Sequence, residues 1–323
     1  MLKNGDLTSK DFADRFTELA LQYDCDKVID HDYARFYAEI FVPINADQPR
    51  LLEIGVGGYA DPLAGGASLH MWHHLLPEWS IVAIDVTRKK LSWPDHVTFI
   101  CADQSNPDHL DHIGKKYGPF DVIIDDGSHV NKHVRASLWG LFPYLKEGGT
   151  YVIEDVQTSY LGAYGGSLSR DADTTANLAR DLFDFVNAAE LPSDFPIPAA
   201  FRHSVEEVRF QHNVVSVRKK TANRISNLQL EGVEKMLMQA NEILADRHEV
   251  GRWLRLARYL SKLKRFDEAR QCLRAGQQQF PDSIQIKRAL ATLEVTQNKN
   301  VSEKSRSNGP AGDPQKPIAF GRL

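Results

Sequence analysis

Cysteine is scarce in this sequence. Cys25, Cys101 and Cys272 are the only three in 323 residues, and no two form a CxxC pair. That excludes a disulfide framework and a cysteine-based structural zinc site, and it predicts a reducing compartment. Long apolar runs are missing as well. No segment approaches the ~18 residues that a membrane-spanning helix needs, and "MLKNGDLTSKDFADRF" has no apolar stretch of the secretory-signal kind. Positive charge is not in excess: the formal net charge is −4, which gives no electrostatic case for nucleic acid or an anionic membrane as partner. The expectation is a cytoplasmic globular protein with neither of those partners.

What is present changes character along the chain. Phe12, Phe16, Leu19, Ala20 and Tyr23 fall at three- and four-residue spacing and predict an amphipathic helix over 8–22, with a second helix around "DYARFYAEIF". Five short apolar runs follow: "RLLEIGVGGY", "WSIVAIDV", "HVTFICAD", "FDVIIDDG" and "GTYVIEDV". Helices are predicted between them near 66–77, 106–117 and 130–145. Val/Ile-rich strands alternating with helices imply a parallel sheet covered on both faces, an α/β Rossmann-like fold. After a helix around 172–190, "VEEVRFQHNVVSVRKK" predicts an antiparallel hairpin turning at "QHN". Five βα units and a terminal hairpin are the element order of class I methyltransferases.

From 231 onward strands give way to four helical stretches. The middle two resemble a tetratricopeptide repeat, with Trp253, Leu256, Ala257, Ala269, Leu273, Gly276 and Pro281 at or near its pattern positions. The expected organisation is an N-terminal helical segment (1–45), a class I methyltransferase domain (46–222), a small helical repeat-like domain (231–297) and a disordered polar tail (298–323).

Chemistry concentrates where the strands end. Glu53, Gly55, Gly57 and Gly58 close the first strand, and glycines there let the backbone turn sharply against a ligand. That spacing by itself serves dinucleotides equally, or a mere turn. Asp85 ends the second strand, where an acid suits ribose hydroxyls; Asp103 and Gln104 end the third, suited to an adenine edge or a nearby hydroxyl. No P-loop lysine follows the glycines. The fourth and fifth strands deliver Asp125, Asp126, His129, Glu154 and Asp155 to one edge. Clustered carboxylates repel one another unless a cation intervenes, and an oxygen-rich set suits Mg²⁺ or Mn²⁺. The competing explanation is that these acids cap the helices that follow.

"LLEIGVGGYADPLAGGASLHMW", "IIDDGSH" and "YVIEDVQTSY" together resemble the S-adenosylmethionine- and Mg²⁺-dependent sugar O-methyltransferases of macrolide biosynthesis, over roughly residues 24–166. The upstream "DKVIDHDYARFY" is similar to the same family's N-terminal motif. The resemblance implies that Asp126, Glu154 and Asp155 hold the metal, that His129 is the general base, and that Glu53, Gly55, Gly57, Gly58, Asp85, Asp103 and Gln104 line the S-adenosylmethionine site, with Asp125 facing the cofactor. It implies a hydroxyl acceptor on a sugar or glycosylated metabolite. His70 and the stretch after Asp85 depart from the family pattern and leave the acceptor open. A non-sugar acceptor such as a catechol or antibiotic intermediate is one alternative; a repeat-bearing binding protein with a vestigial Rossmann domain is another.

Lesser signals complete the reading. His70 and His74 stand four apart, a spacing that ligates zinc, with no third ligand nearby. His133 is expected at a solvated helix position. His31, Tyr33 and Tyr37 are candidates either to close over a substrate or to pack against the sheet, and Tyr160 lies on a loop suited to substrate contact. The helical C-terminal stretch is a candidate surface for a protein partner, and a homo-oligomer is compatible with the sequence.

Overall fold

In the computed structural model, residues 8–220, 250–262 and 265–293 are described. A capping box at Thr8 and Asp11 starts α1 (Ser9–Tyr23), which buries Phe12, Phe16, Leu19 and Ala20 along one stripe. The single-turn α2 (Asp26–Ile29) and then α3 (Ala34–Phe41) follow. The sheet comprises β1 (Arg50–Ile54), β2 (Ser80–Asp85), β3 (Val97–Cys101), β4 (Phe120–Asp125), β5 (Leu145–Ile153), β6 (Val205–Gln211) and β7 (Val214–Lys219). Their order is β3-β2-β1-β4-β5-β7-β6, with β1 to β5 parallel and β7 antiparallel between β5 and β6. Strand order reverses between β1 and β4, the place where open α/β sheets bind ligands.

Helices cover both faces. On one, α1, α3 and α4 (Ala67–Leu75) pack onto Leu51, Ile81, Val122 and Val152. Phe16 and Tyr37 meet the Trp72 ring at centroid distances of 5.5 and 5.3 Å, so the N-terminal helices share the sheet's own core. On the other face lie α5 (Pro107–Tyr117), started by Asn106 with Pro107 in its first turn, α6 (Asn131–Leu141), and α7 (Thr175–Val186), capped by Thr174.

Two expected boundaries shift. The helix predicted to 145 ends at Leu141, because Pro143 sits in a tight 3₁₀ turn over Phe142–Tyr144, and the strand predicted from 149 begins already at Leu145. The helix predicted over 172–190 is shorter, Thr175–Val186. The hairpin turns at His212 and Asn213, where Asn213 takes a φ of 61°.

The chain divides between Arg224 and Ile225 into two units. In the second, α8 (Val250–Lys262), α9 (Phe266–Gln279) and a helix over 284–293 enclose Trp253, Ala257, Leu260, Ala269, Leu273 and Ile286. Gly276 lets α9 lie against Trp253: a Cβ there would stand 2.8 Å from the indole. The helix expected around 233–245 and the tail expected over 298–323 lie outside the described residues. Among the described residues no helix is long and apolar enough to cross a membrane.

Candidate active site

Gly55 leaves β1 with a φ of +90°, and a Cβ on it would lie 2.1 Å from the Asp126 carbonyl oxygen. Only glycine lets the two strand tips pass so closely. The loop that continues through Gly57 and Gly58 opens onto a cavity of about 680 Å³, within the ~300–1,000 Å³ usual for small-molecule sites. Gly55, Gly57, Gly58, Asp85, Asp103, Gln104, Asp126 and His129 all line it. The β2 acid braces the loop: Asp85 accepts from the Val56 N–H at 3.2 Å and the Thr87 N–H at 2.7 Å. Asp103 accepts from the backbone N–H and hydroxyl of Ser105, both at 2.7 Å, which holds its carboxyl below the usual range.

Of the expected cofactor residues, Gln104 both lines the cavity and braces its frame, whereas Asp125 and Glu53 lie off the wall. Gln104 accepts from the Ser128 N–H at 2.7 Å and donates to Asp125 at 3.0 Å, tying the loops after β3 and β4 together. Asp125 is buried off the cavity wall, with Gln104, Ser137 and Tyr151 donating to it, and burial pushes its carboxyl up to about 6. Glu53 is fully buried behind the glycine loop, accepting from Ser68 at 3.0 Å and Trp72 at 3.1 Å. Burial pushes its carboxyl up to about 7.

Beside the cavity, Asp126, His129 and Asp155 each offer one ligand atom within 4.8 Å of the others. His129 Nε2 lies 3.6 Å from Asp155 Oδ2 and 4.0 Å from Asp126 Oδ1. Asp155 Oδ1 is buried without a hydrogen-bond donor; His31 Nε2 is 3.3 Å away but not aligned to donate. A buried acceptor left unpaired is costly, and a cation would satisfy it. Two converging carboxylates and an imidazole, with a second Asp155 oxygen left unpaired beside them, fit a divalent ion.

Glu154, the neighbouring acid, is engaged otherwise. Its Oε1 accepts from Lys27 at 2.7 Å and from the Tyr37 hydroxyl. Lys27 also stands 2.5 Å from Asp126 Oδ2 and 3.6 Å from Glu53 Oε1. Burial opposes the lysine's charge, but Asp126 and Glu154 outweigh it and hold its pKa well above the usual value. Burial and the nearby Asp126 in turn drive the Glu154 carboxyl far above the usual carboxylate range. One ammonium is shared by three acids, so the cluster carries more potential negative charge than Lys27 offsets.

The remaining candidates separate. Tyr33 is fully buried with its hydroxyl donating to the Asn213 carbonyl at 3.1 Å, and Tyr37 is buried on Glu154; both pack against the sheet. His31 stacks on Tyr33 and reaches Asp155. Tyr160 is exposed on the loop after Asp155. His133, expected in solvent, lines the cavity instead and pairs with the Ser128 hydroxyl at 3.0 Å, because α6 begins beside the loop that closes the site. His74 contacts the Tyr23 hydroxyl and His73 pairs with His96; among the described residues no third ligand joins them. Lys27 had no detectable signal in the spacing of the sequence. A lysine in a one-turn helix carries no periodicity, and only the "DKVIDHDYARFY" motif pointed there.

Residues 250–293 match the tetratricopeptide repeat family model. The chain is similar to mycinamicin VI 2''-O-methyltransferase of Micromonospora griseorubida, 39% identical over 192 residues, covering 58% of this chain and 48% of that protein. It is similar as well to 8-demethyl-8-alpha-L-rhamnosyl tetracenomycin-C 2'-O-methyltransferase of Streptomyces olivaceus, 38% identical over 203 residues, covering 62% and 54%. Among solved structures, MycE methyltransferase of the mycinamycin biosynthetic pathway in complex with Mg and SAH superposes with a TM-score of 0.62 at 37% identity, covering 65% of this chain and 56% of that one. The chain spans about half the length of the curated relatives it matches. Its sheet unit has the class I methyltransferase fold, and the relatives it matches at 37–39% identity are sugar O-methyltransferases.

Proposed function

We propose that the protein is an S-adenosylmethionine-dependent, divalent-metal-dependent O-methyltransferase acting on a hydroxyl of a sugar or glycosylated metabolite. One observation carries the reading: a single cavity is lined both by the Gly55–Gly58 loop and by Asp126 and His129, so a donor on the glycines would abut the acid cluster. S-adenosylmethionine would supply the methyl group and the divalent ion the Lewis acidity that lowers the hydroxyl's pKa. The glycine loop, Asp85 and Asp103 would bind the cofactor, with Gln104, Asp125 and Glu53 bracing them. Asp126 and Asp155, with Glu154 from the same strand tip, would hold the ion.

His129 would take the hydroxyl proton while the oxygen forms its bond to the methyl carbon and the carbon–sulfur bond breaks. An alcohol near water's pKa of ~15.7 would need roughly 12 kcal/mol to ionise fully at pH 7. A positioned base supplies ~10²–10⁴-fold, or roughly 3–5.5 kcal/mol, so His129 needs the ion beside it. The exposed Tyr160 and Leu161 offer a surface for the acceptor, and His31 a polar contact at Asp155. The repeat-like unit is a candidate site for a protein partner, and the unpaired cysteines fit a cytoplasmic setting.

A second reading keeps the reaction and changes one role. His129 converges with Asp126 and Asp155 while Glu154 is held by Lys27, which favours His129 as the third ligand. The test of the function is mass spectrometry of glycans and glycosylated metabolites after incubation with methyl-labelled cofactor, with and without chelator. Label transfer that stops on chelation is expected; transfer unaffected by chelator, or no cofactor binding, overturns the reading.

A further inference from the structure

Lys27 has no exposed surface and belongs to α2, yet its ammonium reaches acids from the tips of three strands. Nζ lies 2.5 Å from Asp126 Oδ2, 2.7 Å from Glu154 Oε1 and 3.6 Å from Glu53 Oε1. Asp126 is thereby divided: Oδ2 faces the lysine, and Oδ1 faces His129. If a divalent ion is held by Asp126 and Asp155, the Asp126 carboxylate serves two cations, one fixed and one exchangeable. We infer that Lys27 is a built-in counter-ion that stabilises the acid cluster without metal and, by its charge, loosens the cluster's hold on the divalent ion. This rests on the metal-dependent reading above.

Two effects compete when the ammonium is removed. Repulsion between a unit and a double positive charge across one carboxylate disappears, which tightens the ion by roughly tenfold or more at protein-like dielectric. The anchor on Asp126 Oδ2 also disappears, which would loosen it. The first effect dominates because the backbone holds both acids independently of Lys27. The Asp126 N–H donates to the Ile54 carbonyl at 3.0 Å, the Glu154 N–H donates to the Asp125 carbonyl at 3.0 Å, and Gly55 packs against the Asp126 carbonyl. A methionine at 27 keeps the apolar stem and leaves the acids without their fixed partner, the costly half of a broken buried pair.

The test uses the full chain as wild type, K27M and K27R, with Mn²⁺ affinity read by electron paramagnetic resonance and Tm read in EDTA and in Mn²⁺. K27M is expected to bind Mn²⁺ roughly tenfold or more tightly, to lose Tm in EDTA, and to recover most of it in Mn²⁺; K27R restores both readouts. An equal loss of Tm in both media with unchanged affinity would mean a purely structural lysine, and weaker Mn²⁺ binding would mean that Lys27 organises the site. Either result overturns the inference, as does K27M that stays unfolded in saturating Mn²⁺. Wild-type protein that binds no Mn²⁺ removes the metal-dependent reading itself, an outcome distinct from all of these.

Discussion

His129 and Asp155 face each other at 3.6 Å, and both reach that position from left-handed backbone, with φ of 54° and 55°. Such backbone costs of order 1–3 kcal/mol per residue and persists only where the surrounding structure enforces it. Here the two residues come from the loops after β4 and β5 and meet through Asp155 Oδ2, while Asp155 Oδ1 is left without a donor. The two roles open to His129 make different predictions.

If His129 is the base, replacing it by alanine should lower turnover by ~10²–10⁴-fold and leave Mn²⁺ affinity near wild type. If it is a ligand, the same change should weaken Mn²⁺ binding by roughly tenfold or more along with activity. Isothermal titration with Mn²⁺ beside single-turnover methyl transfer separates the two. Unchanged turnover would remove His129 from the chemistry altogether.

Gly55→Ala should damage cofactor binding and stability together. Its Cβ would overlap the Asp126 carbonyl, and its φ of +90° is one that side chains rarely adopt. The expected cost is about 2 kcal/mol or more by urea unfolding, with S-adenosylmethionine binding lost in the same protein. A fully stable, cofactor-binding G55A would show that the strand tips are not packed as described.

Much of this was legible in the sequence for a physical reason. Buried parallel strands must be apolar along their length, so runs such as "VIID" and "YVIE" announce both the strand and the polar tip where it stops. Gly55, Asp126 and Asp155 were visible because their residue types are unusual at those places. Lys27 was not, since its meaning depends on three acids that are remote in sequence. Glu53 and Asp125 show the converse limit: an acid at a strand end reads as a ligand whether it lines the cavity or hides behind it, and only the fold decides. The helix ends at Leu141, short of the expected 145, an end hidden because the apolar pattern runs through Pro143 into the next strand.

The His73–His96 pair should shape the acid limb of stability. His73 Nδ1 and His96 Nε2 lie 3.1 Å apart, with His70, His74 and Asp95 nearby. Burial, followed for His73 by the neighbouring histidines, lowers both pKa values below the ordinary 6.5. The native state therefore binds fewer protons than the unfolded chain, so this contribution is present above pH 6.5 and is lost as pH falls. The double variant H73Q/H96Q should show a shallower fall of Tm between about pH 6.5 and pH 5 than wild type. Parallel curves would mean that neither imidazole is perturbed by the fold.

Asp85 offers a test of cofactor recognition that leaves the metal cluster untouched. Its two oxygens already accept from Val56 and Thr87 N–H groups, and the residue lines the cavity beside the glycine loop. Asparagine keeps the shape but replaces one oxygen with an amide donor, so one of those backbone N–H groups would confront another donor. A hydrogen bond to a charged acceptor is worth ~1.5–3 kcal/mol, which predicts roughly a tenfold to hundredfold rise in the S-adenosylmethionine Kd of D85N. Because Asp85 ends β2 and the acids gather at β4 and β5, Mn²⁺ affinity should stay at the wild-type value, and turnover at saturating cofactor should recover. D85N that binds cofactor normally, or that loses Mn²⁺ instead, would show that the cavity holds some other ligand than the one the glycine loop was read to cradle.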